Sequence, residues 1–269
     1  MTRRRRNLAD MLVTLVRVGF ADAMAYRSET IIWFLSTTTP LIMMVLWTAV
    51  AAEAPVGRYG APEFVAYFLV TLVVRLVTGA WVVWEMNMDV RQGTLAMRLL
   101  RPVHPFLHYA AENIGAWPLR VATCVPVIVV FFFVLGPGRL AHDPRLWLLM
   151  PFVYFGAWAL NFTAMLAIGT LSFFWSSSLN IFWVWMSLYF VMSGYVVPLD
   201  LFPPVLHAVA SWMPFRYIIG FPVEVTLGLV DPHTALVMLA REWAFVAFCT
   251  ALAAVLWKFG VRRFEAFGG

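Results

Sequence analysis

The sequence predicts an all-α polytopic membrane protein with six transmembrane helices. Of its 269 residues, 62% are hydrophobic and 12% are charged, whereas a soluble domain is about half apolar and about a quarter charged. The mean hydropathy is +0.82, and long tracts of the chain carry no charge. A chain of this kind places its apolar surface in lipid rather than in a water-soluble core.

Six apolar tracts account for the predicted helices, because about 20 residues cross about 30 Å of hydrocarbon. They are Ile31 to Ala52, Phe64 to Trp84, Trp117 to Leu135, Leu146 to Leu171, Leu179 to Pro198 and Trp243 to Trp257. The last tract is short, so we expect Arg241, Glu242 and Lys258 to lie at the interfaces or snorkel, with a helix that begins near Thr234.

The basic residues predict the orientation. Thirteen Lys and Arg fall on the side that carries both termini, Arg120 among them, and five fall on the other side. The positive-inside rule makes the first side cytoplasmic. Arginines next to apolar spans reflect topology, so we expect no nucleic-acid partner.

No motif for catalysis or nucleotide binding is present in the sequence. It lacks the G-x-x-x-x-G-K-[ST] loop, and its single lysine, Lys258, ends the last tract. His104 and His108 are four residues apart, but Pro105 disturbs the helix that would align them. No third ligand accompanies them at metal-like spacing, so we expect neither a metal site nor a cofactor in this chain.

A short amphipathic basic helix is predicted directly after the second tract. Gly93 can interrupt the preceding helix, Thr94 can cap a new one and Pro102 stops it after about two turns. Its apolar and positive sides suit either a groove on a partner protein or a surface of anionic lipid, and the two alternatives are equally supported by the residues.

Two further segments flank the predicted spans. We expect residues 1–28 to form an amphipathic helix in the inner interface and residues 29–269 to form one domain of six spans. The stretch from Pro198 to Pro222 is apolar but interrupted by five prolines, so no piece of it can cross a membrane. We expect it to be re-entrant or to lie flat, either over a transport pathway or as a plug at a dimer interface.

Several side chains are candidates for a pathway through the spans. Arg75 lies near the middle of the second tract, where an unpaired charge costs at least about 2.5 to 3.5 kcal/mol. It faces either a pathway with an anionic substrate group, or a carbonyl or carboxylate of a neighbouring helix. Trp183, Trp185 and Tyr189 are deep enough to line a pathway, with helix packing as the alternative.

Three sets of motifs resemble the permeases of type 2 ABC exporters. The first is Gly93-Thr94-Leu95 followed by Leu99-Leu100-Arg101-Pro102, just after the second span. The second is Met192 to Leu199 with Phe202-Pro203, and then Met213 to Pro222. The third is the tail from Arg262 to Gly269, which resembles the end of daunorubicin- and viologen-type exporters.

The resemblance implies roles for these motifs. The segment after the second span is the coupling helix in a cleft of a separate ATPase, where leucines supply contact area and Arg98 and Arg101 meet acidic residues. Residues 1–28 are the elbow helix, and the proline-rich segment is an outer gate. The coupling residues are Arg91, Gly93, Leu95, Arg98, Leu99, Leu100, Arg101 and Pro102. The gate residues are Pro198, Phe202, Pro203, Pro214 and Phe215.

The expected protein is therefore a permease subunit with no enzymatic activity of its own. It pairs with an identical or related permease and with two ATPase subunits that hold ATP and Mg, in a bacterial cytoplasmic membrane with both termini inside. Its cargo is an amphipathic drug, natural product or lipid. An ion-coupled transporter would need acidic residues within its spans, and the centres of the six tracts contain none. A membrane enzyme would need a cluster of reactive side chains, which the basic inner loop lacks.

Overall fold

The computed structural model describes residues 2–25, 37–175 and 178–264. Its regular elements are helices, with one isolated bridge between Val56 and Tyr59. The helices are α1 Thr2–Ala25, α2 Thr39–Glu53, α3 Ala61–Thr78, α4 Val82–Gln92, α5 Leu95–Leu99, α6 Pro105–Gly115, α7 Trp117–Leu135, α8 Pro144–Thr170, α9 Ser178–Met192, α10 Pro204–Trp212, α11 Gly220–Thr226 and α12 Pro232–Gly260.

Four helical stretches of the described chain are long and apolar enough to cross a membrane. They have 30 to 32 residues each: Ala61–Gln92, Pro105–Leu135, Pro144–Phe173 and Pro232–Arg263. The first and fifth predicted spans correspond to shorter apolar helices of 15 residues, α2 and α9. The start of the first predicted span, from Ile31, lies outside the described residues. These helices confirm an all-α polytopic membrane protein.

The second and third spans are longer than the sequence predicted, because each joins two helices end to end. The second consists of α3 and α4, separated at residues 79–81, and the third consists of α6 and α7. The predicted third tract began at Trp117, but the helix starts earlier, with Pro105 in the first turn of α6, where a missing N–H costs no helical hydrogen bond. Arg120, which was counted on the side of the termini, therefore lies midway along Pro105–Leu135, which corrects that expectation.

Helix α8 lies at the centre of the bundle. It packs along α12 and also contacts α3, α4, α9 and α11. Small residues allow neighbouring helices to approach its backbone closely, as in other membrane bundles. Gly156 faces Glu242 of α12, and Gly169 faces Met86 of α4.

Glu242 was expected to lie at a membrane interface or to snorkel, but its side chain is fully buried in the bundle. Helix α12 begins ten residues before it, where the carboxylate of Asp231 accepts hydrogen bonds from the amides of His233 and Thr234, each at 3.0 Å. Glu242 is consequently inside the last span and fully buried. The absence of acidic residues from the centres of the predicted tracts therefore does not extend to the observed last span, Pro232–Arg263, which contains Glu242.

The segment after α9 consists of short pieces, as predicted. Gly194 reverses the chain with a φ of +86°. Short 3₁₀ turns and the helices α10 and α11 follow, of which α10 is the longest with nine residues. None of these described pieces can cross a bilayer. Helix α11 is buried within the bundle, against α3 and α8.

Helix α1 is docked on α6 at two glycines. A Cβ atom on Gly19 would lie 2.8 Å from the Cα of Glu112, and one on Gly115 would lie 2.7 Å from the amide nitrogen of Phe20. Both contacts are with backbone atoms, which cannot move aside without separating the helices. The predicted N-terminal helix is therefore attached to the third span.

We predict that Gly115→Ala separates α1 from α6. Amide hydrogen exchange across residues 10–25 should become faster, since the added methyl group overlaps the backbone of α1. Gly138→Ala is the matched control, because a Cβ atom there meets nothing within 4 Å. Unchanged exchange in α1 of the Gly115→Ala variant would contradict the docking.

Candidate functional site

A short helix stands apart from the spans at the end of the bundle that carries Arg262 and Arg263, which we call the basic end. Helix α4 ends at Gly93, whose φ of 74° is left-handed and suits a glycine. Helix α5 then runs from Leu95 to Leu99. Thr94 was predicted to cap α5, but its hydroxyl instead donates to the Asp89 carboxylate at 2.7 Å.

Helix α5 has a buried side and an exposed apolar side. Leu95 is fully buried, whereas Met97 is 66% exposed and Leu100 is 80% exposed. At 100° per residue, Met97 and Leu100 lie opposite Leu95 and so point away from the bundle. Leu99 lies one turn after Leu95 and is only 38% exposed, at the edge of this surface, and Arg101 beyond the helix is also exposed. We call these four residues the coupling face: Met97, Leu99, Leu100 and Arg101.

Arg98 fastens α5 to the ends of two spans. Its Nε lies 2.7 Å from the Asp89 carboxylate on α4, and its Nη1 lies 3.2 Å from the Glu112 carboxylate on α6. Its guanidinium also stacks 4.5 Å from the ring centroid of Tyr109. The Tyr109 hydroxyl donates to Asp89 at 2.6 Å. Burial alone lowers the pKa of Arg98, but the carboxylates of Glu112 and Asp89 outweigh it and raise that pKa above its ordinary value.

The other predicted coupling residues have different surroundings. Arg98 was expected to meet acids of an ATPase, yet its charge is paired within this chain. Arg101 remains exposed, with Nη1 3.0 Å from Nε2 of His108. Arg91 is exposed on the last turn of α4, and Pro102 is exposed beyond α5.

The two histidines considered for a metal site have separate roles. His104 caps α6, because its Nδ1 accepts a hydrogen bond from the Phe106 amide at 3.2 Å. Its ring also packs 5.2 Å from Trp257 of α12. Burial lowers the pKa of His104, which favours the neutral ring that can accept this bond. His108 instead lies 3.2 Å from the Glu112 carboxylate.

The second span is interrupted at membrane depth, between α3 and α4. Side chains of two other spans donate hydrogen bonds to the backbone carbonyl groups at the break. Asn161 of α8 donates to the Thr78 carbonyl at 2.9 Å, and Arg120 of α7 donates to the Gly79 carbonyl. Irregular backbone persists within a bilayer only where such donors replace the lost helical bonds.

Arg75 lies one turn before this break. Its guanidinium is 5.7 Å from the ring centroid of Trp81 and 5.8 Å from that of Tyr189, and the Tyr195 hydroxyl lies next to it. Among the described residues, no carboxylate lies within 4.0 Å of Arg75. Aromatic rings are thus the observed neighbours of this cation, and a carboxylate partner is not found there.

The pathway candidates fall into two places. Tyr189 contacts Arg75, and Trp185 follows one turn away on the same face of α9. The ring of Trp185 lies 4.5 Å from that of Phe215, one of the predicted gate residues. Trp183 points elsewhere, is 56% exposed and packs on Trp84. The structure therefore joins three of the four candidates to the proline-rich segment.

The proline-rich segment is held together by a buried ion pair. Arg216 donates from Nη2 to both oxygens of Glu224, at 3.1 and 2.8 Å, and from Nη1 to the Ser211 hydroxyl at 3.0 Å. This pair ties α10 to α11. Of the predicted gate residues, Phe215 and Pro198 are buried. The other three are partly or fully exposed: Phe202, Pro203 and Pro214.

A family model described as an ABC-2 family transporter protein matches residues 34–268 of this chain. The chain belongs to the ABC-2 transporter family. No curated protein matches the sequence. The ABC-2 permease is thus the membrane component of an ABC transporter and works with an ATP-binding subunit. The closer likeness to daunorubicin- and viologen-type exporters stays a prediction.

Sequence reasoning missed the carboxylates that hold α5 in this ABC-2 permease. Asp89 lies four residues before the motif that starts at Gly93, but nothing in its spacing assigned it to Arg98. Glu112 was overlooked because it precedes the apolar tract from Trp117 to Leu135, so α6 was not predicted. The signal for α6 was His104 followed by Pro105, a capping residue and a proline at the first helical position.

We predict that Arg98→Gln destabilises the basic end of the permease by about 1 to 3 kcal/mol, because Asp89 and Glu112 lose a charged hydrogen-bond donor. The thermal midpoint of the detergent-solubilised protein measures the loss. Arg262→Gln removes an exposed arginine from the same end and should have little effect. Equal midpoints for the two variants would show that Arg98 does not fasten α5.

Proposed function

We propose that this ABC-2 permease is the transmembrane half of an ATP-driven exporter, with α5 as its coupling helix. Two permeases, identical or related, would enclose the pathway, and two ATPase subunits holding ATP and Mg would each receive one coupling face. The observation that carries the proposal is the exposed apolar surface of α5, on a helix that Arg98 fixes to two spans.

The direction of the coupling face supports a protein partner over lipid. Lipid surrounds the sides of a helix bundle, whereas Met97 and Leu100 point away from the end of this one. Exposed apolar side chains next to Arg101 suit a cleft with a hydrophobic floor and an acidic rim. The ATP-binding subunit that the family implies is a partner that can supply such a cleft.

The contacts of α5 suggest how a push from the ATPase reaches the spans. Arg98 joins α5 to α4 through Asp89 and to α6 through Glu112. Helix α6 in turn carries α1 at the glycine contacts. A displacement of α5 would therefore move the basic ends of the second and third spans together with α1. The break between α3 and α4 gives the second span a point at which its halves can move independently.

The opposite end of the bundle supports an outer gate. The predicted gate residues lie on short pieces joined by the Arg216–Glu224 pair, so the segment can move as one body. Phe215 connects it to Trp185 and, through α9, to Tyr189. A row of aromatic side chains of this kind suits an amphipathic cargo, and we propose a drug, natural product or lipid as the substrate class.

The distribution of charge supports a bacterial cytoplasmic membrane with the basic end inside. Without Arg120, twelve Lys and Arg remain on the side of the termini and five on the other. The positive-inside bias is thus maintained after the correction, and it favours cytoplasmic termini.

Glu242 favours ion-coupled transport as a second candidate. Both of its carboxylate oxygens are buried without a hydrogen-bond partner, and buried acids within spans bind protons in many transporters. Transport by proteoliposomes with an imposed proton gradient, but without an ATPase subunit, would support this alternative. ATP-dependent transport without a gradient would support the exporter.

We predict that the double variant Leu100→Asp/Arg101→Glu loses its ATPase subunit. The first substitution places a charge in the apolar contact and the second reverses a charge, so the affinity for the ATPase subunit should fall at least about tenfold. Co-purification of the two subunits after joint expression measures it. Val205→Asp is the control, because Val205 is 79% exposed on α10, away from the basic end.

Intact complex formation by the double variant would contradict the coupling assignment. So would ATP hydrolysis by the purified permease alone.

A further inference from the structure

Two arginines of different spans converge on Gly79, at the break between α3 and α4. A Cβ atom on Gly79 would lie 3.2 Å from Nη1 of Arg75. Arg120 donates a hydrogen bond to the carbonyl of the same residue. The break therefore concentrates two positive charges around one short piece of backbone.

Both arginines lie deep within the spans. Arg75 is 14 residues from the start and 17 from the end of Ala61–Gln92, and Arg120 is 15 residues from each end of Pro105–Leu135. At 1.5 Å per residue, each is about 20 Å or more from either end of its span. Charges at this depth normally pair or face a pathway.

Arg120 is satisfied by neutral oxygen atoms. Besides the Gly79 carbonyl, it donates to Oδ1 of Asn113 at 3.3 Å. Trp158 fixes that amide by donating to the same oxygen at 2.7 Å. Arg120 thus stabilises the break, but its acceptors leave its charge unneutralised.

Arg75 is half-buried, and no carboxylate in the described part of the chain forms an ion pair with it. Its guanidinium lies next to the Tyr195 hydroxyl, and its other neighbours are the rings of Trp81 and Tyr189. Such rings attract a cation but do not cancel its charge. Glu85, on the first turn of α4, is exposed and forms no ion pair within 4.0 Å with either arginine.

The start of α4 adds to the positive potential. This helix has 11 residues, and Trp81 at its N-cap provides no side-chain acceptor for its first amides. Partial positive charge at a helix start reinforces the field of the nearby guanidinium groups. An anionic group would therefore be attracted to the break.

We propose that Arg75 binds the anionic headgroup of an amphipathic substrate, such as a carboxylate, sulfonate or phosphate. The apolar part of the molecule would lie along Trp185, which is half-buried, beside the buried Tyr189 and Phe215. This inference rests on the proposed transport function and specifies the substrate class. Because two guanidinium groups attract anions and repel cations, the site binds anionic amphiphiles more tightly than neutral ones and cationic amphiphiles least tightly.

A binding titration on the permease alone tests the site. The protein is placed in nanodiscs of phosphatidylcholine and titrated with 11-(dansylamino)undecanoate, with its methyl ester and with the corresponding primary amine, using dansyl fluorescence. The carboxylate should bind most tightly. Arg75→Gln should weaken carboxylate binding about tenfold or more and leave ester binding unchanged, which also reports that the variant is folded. Arg75→Lys should retain part of the preference, whereas the control Arg262→Gln should retain all of it.

A second titration distinguishes a free amphiphile from a lipid headgroup. If phosphatidylglycerol in the nanodisc weakens carboxylate binding to the wild type but not to Arg75→Gln, the site is supported and the membrane supplies a competing ligand. If phosphatidylglycerol has no effect and Arg75→Gln weakens carboxylate binding, the site is supported with a free amphiphile as its ligand.

Three results would overturn the site. The first is unchanged carboxylate binding in Arg75→Gln, and the second is a loss of ester binding in that variant equal to its loss of carboxylate binding. The third is dissociation of the Arg75→Gln dimer in native mass spectrometry, which would show that Arg75 pairs with the second permease. None of them depends on the ATPase subunit. An intact complex with the ATPase alongside a failed titration would therefore refute the site and leave the exporter function standing.

Discussion

The pairing of Arg98 with Asp89 and Glu112 is the interaction on which the account of this permease depends. A helix of five residues has no stability of its own. Helix α5 holds its position because one guanidinium bonds to the ends of two spans, while Leu95 is buried beneath it. The same arrangement leaves Met97, Leu99 and Leu100 exposed. Arg98 therefore both positions the coupling face and connects it to the bundle that has to move.

Membrane class and the sites of most helices could be predicted from the sequence, because apolar tracts and turn residues are local signals. Helix α5 lies within the predicted segment from Gly93 to Pro102 for this reason. Span boundaries were less predictable, since a helix that begins at a capping residue is longer than the apolar tract within it. The pairs His104–Pro105 and Asp231–Pro232 start α6 and α12 well before their apolar tracts.

The break in the second span could not be read from local sequence. Residues 64–84 form one apolar tract, and Gly79 is a weak signal within it. The break is stabilised by donors that lie far away in the chain, Asn161 and Arg120. Long-range pairing likewise decides the place of Arg98, which was expected to meet acidic residues of an ATPase. Tertiary contacts of polar side chains are thus the part of the site that patterns did not predict.

Photo-crosslinking tests whether α5 contacts the ATPase subunit. A benzoylphenylalanine in place of Leu100 in the assembled transporter should crosslink to the ATPase subunit, whereas the same group in place of Val205 should not. Crosslinking of position 100 to lipid alone, with no ATPase product, would contradict the assignment of α5 as the coupling helix.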